Sequence, residues 1–285
     1  MEALIERGLS PEQIGKKAKF GEGDKIQPWR VLEPAEVPEF ASSGDSRVLG
    51  GTAWDFADLN RFPEDTFDLL VVDEAGQFSL ANLIATSVSA KRVLLLGDPQ
   101  QLPQVTTGTH AEPVDVSALG WLSEGHDVLP SELGVFLPES WRMSPELCAT
   151  VSELSYDNKL HSVTGEGAPR RVLENTSPGL HYIPVNHQGR TLWSPEEAER
   201  VVLLVEELIG REWTDSANAK YVTGNPLEQE EIIVVAAYNA QVDLIEEALN
   251  NAGYSQVRVG TVDRFQGREA AVAIVSLAAS SAKEI

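Results

Sequence analysis

The run Phe67-Asp68-Leu69-Leu70-Val71-Val72-Asp73-Glu74-Ala75-Gly76-Gln77 constrains the fold of this chain more than any other stretch, because an apolar segment ends abruptly in two adjacent carboxylates. A short apolar run bounded by polar residues reads as a strand buried in a parallel sheet. Asp73 and Glu74 stand at its tip with no basic residue beside them. That arrangement favours a cation at this end of the strand. The same pair also suits a plain solvated strand end opening into a helix, and the acids alone leave both readings open.

A second apolar run, Val93-Leu94-Leu95-Leu96, ends in Gly97-Asp98-Pro99-Gln100-Gln101-Leu102-Pro103. Between the two runs, Leu80, Leu83, Ile84 and Val88 recur near helical spacing. The segment therefore reads as strand, helix, parallel strand with a right-handed crossover. Both strand tips then open on one edge of the sheet, where open α/β sheets bind ligands. Asp73, Glu74, Asp98 and Gln101 would surround one cleft. A plain turn accounts for Gly97-Asp98-Pro99 but gives no reason for the two glutamines.

Further along, Glu139-Ser140-Trp141-Arg142-Met143-Ser144-Pro145 sets a forked cation just before a Ser-Pro helix start. Its guanidinium suits bidentate bonds to a phosphoryl group, or a surface ion pair. Glu231-Ile232-Ile233-Val234-Val235 leads into Ala236-Ala237-Tyr238-Asn239-Ala240-Gln241 and a helix carrying Leu244, Ile245 and Leu249. Val259-Gly260-Thr261-Val262-Asp263-Arg264-Phe265-Gln266-Gly267-Arg268-Glu269 follows. In this order the segments resemble the motifs of superfamily 1 helicases, in the subgroup of the nonsense-mediated-decay helicase and its DNA2/NAM7-type relatives. Residues 73–77 resemble motif II, 97–103 motif III, 139–145 motif IV and 259–269 motif V. The resemblance covers the chain from about Arg47 onward.

The resemblance implies an ATP-driven motor on single-stranded nucleic acid, DNA rather than RNA, moving 5′ to 3′. It implies an α/β fold of two RecA-like parallel-sheet lobes, both incomplete, with residues 1–137 holding motifs II and III and 138–285 holding motifs IV and V. Asp73 would hold Mg²⁺, directly or through water, and Glu74 would be the base for the attacking water. Gln101, an amide that both donates and accepts, suits a sensor of the γ-phosphate. Arg142 would be an arginine finger, a device worth on the order of 10³–10⁵ in rate elsewhere. Asp98, Gly267 and Glu269 would serve the nucleotide, Gly267 by close backbone approach and Glu269 by bonding a ribose, unless Arg264 and Arg268 merely neutralise it. Thr261, and Thr52 within Val48-Leu49-Gly50-Gly51-Thr52-Ala53, would offer hydroxyls to strand phosphates. Trp141 would stack on a base or else pack in a core. Tyr238 and Gln241 match the family's Pro-Tyr-x-x-Gln, with Ala237 in place of the proline, and would line the cleft or touch the strand. Bacterial members of this type can be fused to a RecB-like nuclease, none of whose residues lies in this chain.

Walker A requires Gly-x-x-x-x-Gly-Lys-Ser/Thr, whose backbone N–H groups and lysine cradle the phosphates. The one Gly-Lys, Gly15-Lys16, is followed by Lys17 and has no glycine five residues earlier, and Pro11-Glu12-Gln13-Ile14 before it reads as the end of a helix. The expectation is a chain that starts after the P-loop strand and stops before motif VI, which should follow the apolar run 271–277. The P-loop and motif VI segments would then be its partners. Residues 21–45 read as irregular or inserted, and 106–133 as a longer loop with short helices.

The single Cys148, inside the expected helix 145–154, reads as a small core residue, and five scattered histidines offer no zinc spacing. No signal peptide and no apolar run of membrane-spanning length is present, so a reducing cytoplasm is the expected location. Two readings from other classes remain. A catalytically dead scaffolding module would not need an Mg²⁺ ligand, a base, a sensor and a finger together. A Mg²⁺ phosphoesterase built on Asp73 and Glu74 leaves Gln101, Arg142 and residues 259–269 without a role. The formal net charge of −22 is unusual for a nucleic-acid binder, although a narrow groove can grip single strands through amides, hydroxyls and stacking. Non-specific duplex binding should be weak and strongly salt-dependent. Anisotropy titrations with duplex DNA at about 50 and 200 mM salt should show the residual affinity collapsing between the two.

Overall fold

The computed structural model describes residues 1–17, 27–44, 46–102, 110, 113–114, 116–126 and 128–281. They form two compact units, Met1–Gly134 and Val135–Ile285, each with its own apolar core. Among the described residues most strand pairs are parallel and no sheet closes into a barrel, so the fold is α/β.

In the first unit the strand Leu70–Val72 pairs in parallel with Val93–Leu95, with Leu70 opposite Val93 and Val72 opposite Leu95. The crossover contains the helix Leu80–Ser87, begun by Ser79, whose Oγ accepts the amide of Asn82 at 3.2 Å. Leu70 and Val72 are buried against Phe56, Phe62 and Phe67, whose ring centroids lie 4.9–5.6 Å apart. Leu69, Val71, Leu94 and Leu96, on the other face, are 44–49% exposed. The expected two-sided burial of this strand is therefore met on one face.

A second parallel sheet places Ile14–Lys17 between Arg30–Leu32 and Val48–Gly50. This corrects two sequence expectations. Residues 11–14 do not end a helix but form the 3-10 turn Pro11–Gln13 and enter the strand, and the described part of 21–45 holds a strand and the helix Val37–Ser42. The strand was hidden because its interior position is Gly15, where a Cβ would come within 2.7 Å of both Leu32 and Phe40 side-chain atoms. Glycine there lets the core close over the strand. Within 106–133 the described part includes the helix Ala118–Leu122. The remainder of both stretches, and Pro103, lie outside the described residues.

The second unit is built on Ile232–Ala236, flanked in parallel by Arg258–Gly260 and Val272–Ser276. The helices Pro195–Leu208 and Asn239–Asn251 contribute Ala198, Val201, Val205, Val242, Ile245 and Leu249 to its core. Ser194 caps the first helix by accepting the Glu197 amide at 3.2 Å, and Gly210, at φ +83, turns the chain at its end. Cys148 is a buried core residue in the helix Pro145–Ser155. No local pattern announces the antiparallel sheet formed by Arg171–Leu173, Glu212–Asp215 and Asn225–Pro226.

Asp55 is the ionic hub of the first unit. Its carboxylate accepts the Thr52 amide at 3.0 Å and the Thr52 hydroxyl at 2.8 Å, and pairs with Lys17 and Arg61. Burial pushes the carboxyl up, but the bonds from Lys17 and Thr52 outweigh it and hold the pKa down at about 2. Because folding lowers this pKa, the stabilisation is complete above about pH 4 and is lost as the pH falls through about 2. Asp55→Asn should cost the first unit about 2 kcal/mol at neutral pH. In urea melts from pH 6 down to 2 the gap between wild type and variant should narrow.

Candidate functional site

In the first unit two loops meet at one sheet edge. The ladder runs on past the strands, with the Leu96 amide donating to the Val72 carbonyl at 2.8 Å and the Ala75 amide to the Leu96 carbonyl at 2.8 Å. At Gly76 an added Cβ would lie 2.5 Å from the Asp98 carbonyl oxygen, and at Gly97 one would lie 2.8 Å from the Ala75 nitrogen. The backbones after the two strands thus touch where both residues lack side chains. Glu74 takes a left-handed conformation, φ 54 and ψ 43, uncommon for a residue with a side chain.

Asp73 and Glu74 are exposed at this edge, and the Asp73 carboxylate accepts the Glu74 amide at 3.1 Å. Among the described residues no ion pair involves either acid. Asp98 shapes the neighbouring loop by accepting the Gln100 amide at 3.0 Å, and the Gln101 side-chain amide lies 3.4 Å from its carboxylate. The four side chains expected around one cleft do share one edge. The donor set fits Mg²⁺, which binds through one or two carboxylates and fills its octahedron with water and phosphate oxygens. Among the described residues no cluster of three His, Cys, Asp or Glu side chains offers an all-protein metal cage.

Thr52 is exposed ahead of the short helix Ala53–Phe56. Its hydroxyl proton points to Asp55, so donation to a phosphate requires that bond to open.

In the second unit Arg142 lies just past the strand Glu139–Ser140, and its Nε donates to Glu269 at 3.1 Å. Both side chains are 60% exposed. Glu269 is thus paired with Arg142, not with Arg264 or Arg268 as the sequence allowed. Arg264 instead donates to the Val259 carbonyl at 2.7 Å. Trp141 is 56% exposed, which removes core packing as its explanation. Thr261 is half-buried at the start of Val262–Phe265, and Gly267 has φ +70 with open space where a Cβ would be.

Tyr238 is half-buried ahead of Asn239–Asn251. Gln241 is fully buried. Its carbonyl oxygen accepts the Ser194 amide at 2.7 Å, and its amide donates to the Ser276 hydroxyl at 2.9 Å and the Ser194 carbonyl at 3.3 Å. Ser276 in turn bonds Glu197, whose other oxygen meets His187 at 2.9 Å. The expected contact of Gln241 with a nucleic-acid strand does not fit this placement, since every polar atom of its side chain is bonded inside the unit. Sequence reasoning also missed Arg171, which bonds the backbone on both sides of the Trp141–Arg142 step. Nothing local in Ala168-Pro169-Arg170-Arg171 signals that contact.

An AAA-domain family model matches residues 116–284, more than half of the chain, and a second AAA-domain model matches residues 53–108. The chain is 27% identical to the DNA-binding protein SMUBP-2 of Rattus norvegicus, over 88% of this chain and 26% of that protein. It is 26% identical to the DNA replication ATP-dependent helicase/nuclease JHS1 of Arabidopsis thaliana, over 76% of this chain and 16% of that protein. To the DNA replication ATP-dependent helicase/nuclease DNA2 of Xenopus laevis it is 25% identical, over 77% of this chain and 22% of that protein. The chain spans about a quarter or less of the length of these relatives.

Gly76→Ala should force the two loops apart and destabilise the first unit by about 1–3 kcal/mol. Gly267→Ala meets no atom and should cost the second unit only the left-handed backbone penalty of about 1–2 kcal/mol. Equilibrium urea unfolding of the two variants checks both, and Gly76→Ala alone should also expose the loop amides of residues 74–77 to hydrogen exchange.

Proposed function

The chain belongs to the superfamily 1 helicases of the DNA2/NAM7 type, the family its AAA-domain matches mark, and from that membership we propose that it supplies the hydrolytic acids and the charge-gathering arginine of an ATP-driven motor on single-stranded nucleic acid. DNA is the favoured polymer, since the relatives are named as DNA-binding and DNA-replication proteins. Movement 5′ to 3′ follows from the family resemblance. The observation that carries the reading is the contact between Gly76 and the Asp98 carbonyl, which brings an unpaired acid pair and a neutral amide to one sheet edge.

In this reading Asp73 holds Mg²⁺ together with water and phosphate oxygens. Bound Mg-ATP supplies the phosphoryl group under attack. Glu74 takes the proton of the attacking water, and Gln101 reads the group beyond it by donating or accepting. Arg142 leaves Glu269 to face charge that builds on a phosphoryl group. An exposed ion pair is worth only ~0–1 kcal/mol, so the exchange is cheap. Gly267 and Glu269 border the nucleotide. Thr52 and Thr261 follow the polymer's phosphates and Trp141 stacks on a base. Tyr238 lines the same path, and Gln241 holds the start of its helix from inside.

No Gly-x-x-x-x-Gly-Lys-Ser/Thr stretch occurs in the 285 residues, so the reading assigns the phosphate cradle to polypeptide outside them. Lacking about four charge-assisted bonds of ~1.5–3 kcal/mol each, these residues alone would bind ATP roughly 10²–10⁴ more weakly even if half of that loss were recovered. They should be a feeble ATPase by themselves. The test is Mg-ATP turnover, with single-stranded DNA or RNA, by this chain and by a form extended upstream through a Gly-Lys-Thr loop and downstream through a further arginine motif. The extended form should be stimulated by DNA, and Glu74→Gln should abolish its turnover. Turnover indifferent to Glu74→Gln would overturn the assignment.

A further inference from the structure

Among the described residues the exposed side chain of Arg142 has one partner, the equally exposed Glu269, so little at its tip fixes where the guanidinium points. Its backbone is held far more firmly. One nitrogen of the Arg171 guanidinium, Nη1, donates to the Trp141 carbonyl at 2.7 Å and also to the Arg142 carbonyl. The Ser162 hydroxyl donates to the next carbonyl, that of Met143, at 2.7 Å. Three successive carbonyls around Arg142 are therefore bonded by side chains from elsewhere in the unit.

Arg171 is itself anchored. It sits opposite Asp215 in the antiparallel ladder, and its Nε lies 3.3 Å from the Asp215 carboxylate, with the two side chains only 19% and 15% exposed. A guanidinium presents donors in a fixed fork, so one edge can face a carboxylate while another faces two carbonyls. A lysine ammonium, a single point on a flexible stem, cannot hold both in one geometry. The small sheet Arg171–Leu173, Glu212–Asp215, Asn225–Pro226 thereby fixes the two peptide planes that set the direction of the Arg142 side chain.

We propose that Arg171, braced by Asp215, is the positioning residue for Arg142, and that the small antiparallel sheet is there to aim it. The proposal rests on the reading of Arg142 as the residue that meets phosphoryl charge. Misplacing a reacting group by about 1 Å can cost about 10²-fold in rate without weakening substrate binding. Loosening the clamp should therefore lower kcat and leave KM for ATP in place.

The test is steady-state Mg-ATP turnover of the full-length protein with saturating single-stranded DNA, for Arg171→Lys, Asp215→Asn, Arg142→Ala and the double variant Arg142→Ala/Arg171→Lys. Arg171→Lys keeps the charge beside Asp215, so the unit is expected to fold, and thermal melts check this. The expected result is a fall of about 10- to 100-fold in kcat for Arg171→Lys, a KM within twofold of wild type, and no further loss when it is added to Arg142→Ala. A wild-type kcat for Arg171→Lys, or a loss that multiplies with that of Arg142→Ala, would overturn the positioning role while leaving the finger reading intact. A silent Arg142→Ala, or no turnover at all, would overturn the finger reading and this proposal with it.

Discussion

Parallel pairing of Leu70–Val72 with Val93–Leu95 is the constraint on which the first half of the site depends, because parallel strands deliver both of their tips to one edge. Pairing alone would leave the following loops a side chain's width apart. Gly76 and Gly97 remove that width, and the Ala75–Leu96 bond carries the ladder one step beyond the strands. Backbone contact, not side-chain bonding between the loops, gathers Asp73, Glu74, Asp98 and Gln101. Among the described residues the Asp73 and Glu74 carboxylates are left outside any ion pair.

Burial separates the groups that hold the fold from those that the proposed function turns toward a ligand. Asp55 receives four contacts from three residues in a nearly closed setting, and Gln241 bonds Ser194 and Ser276 with no access to solvent. Such contacts are strong when complete and costly when one member is lost. Arg142 and Glu269 are the opposite, a pair that water competes for throughout. The chain sets complete bond networks in the interior and around the Arg142 backbone, and leaves the tip of Arg142 in a weak, exposed pair.

The strand ends and the order of the motif segments were legible because short-range patterns encode them: an apolar run, a glycine, an acid, a capping serine. The same is true of Pro195–Leu208, where a serine, a proline and two acids mark the start and Gly210 the end. Ile14–Lys17 was not legible, since a glycine at its packed centre reads as a turn until Leu32 and Phe40 are seen over it. The burial of Gln241 was not legible either, because its partners lie 47 and 35 residues away. Arg171 escaped for the same reason: its acceptors are carbonyls about thirty positions back, and every residue has a carbonyl. Patterns within a few residues disclose which groups reach solvent at a strand end, whereas the groups that steady them are chosen by contacts between distant segments.

Glu74 shows what this arrangement demands of a single position. Its left-handed backbone is one that glycine or asparagine adopts with little strain and glutamate adopts against its own preference. A substitution that relaxed the turn would at the same stroke remove the carboxylate. With Glu74 as the base proposed above, stability and activity are opposed at one α-carbon, and a search for hardier variants by stability alone would drift toward a sturdier protein without its carboxylate.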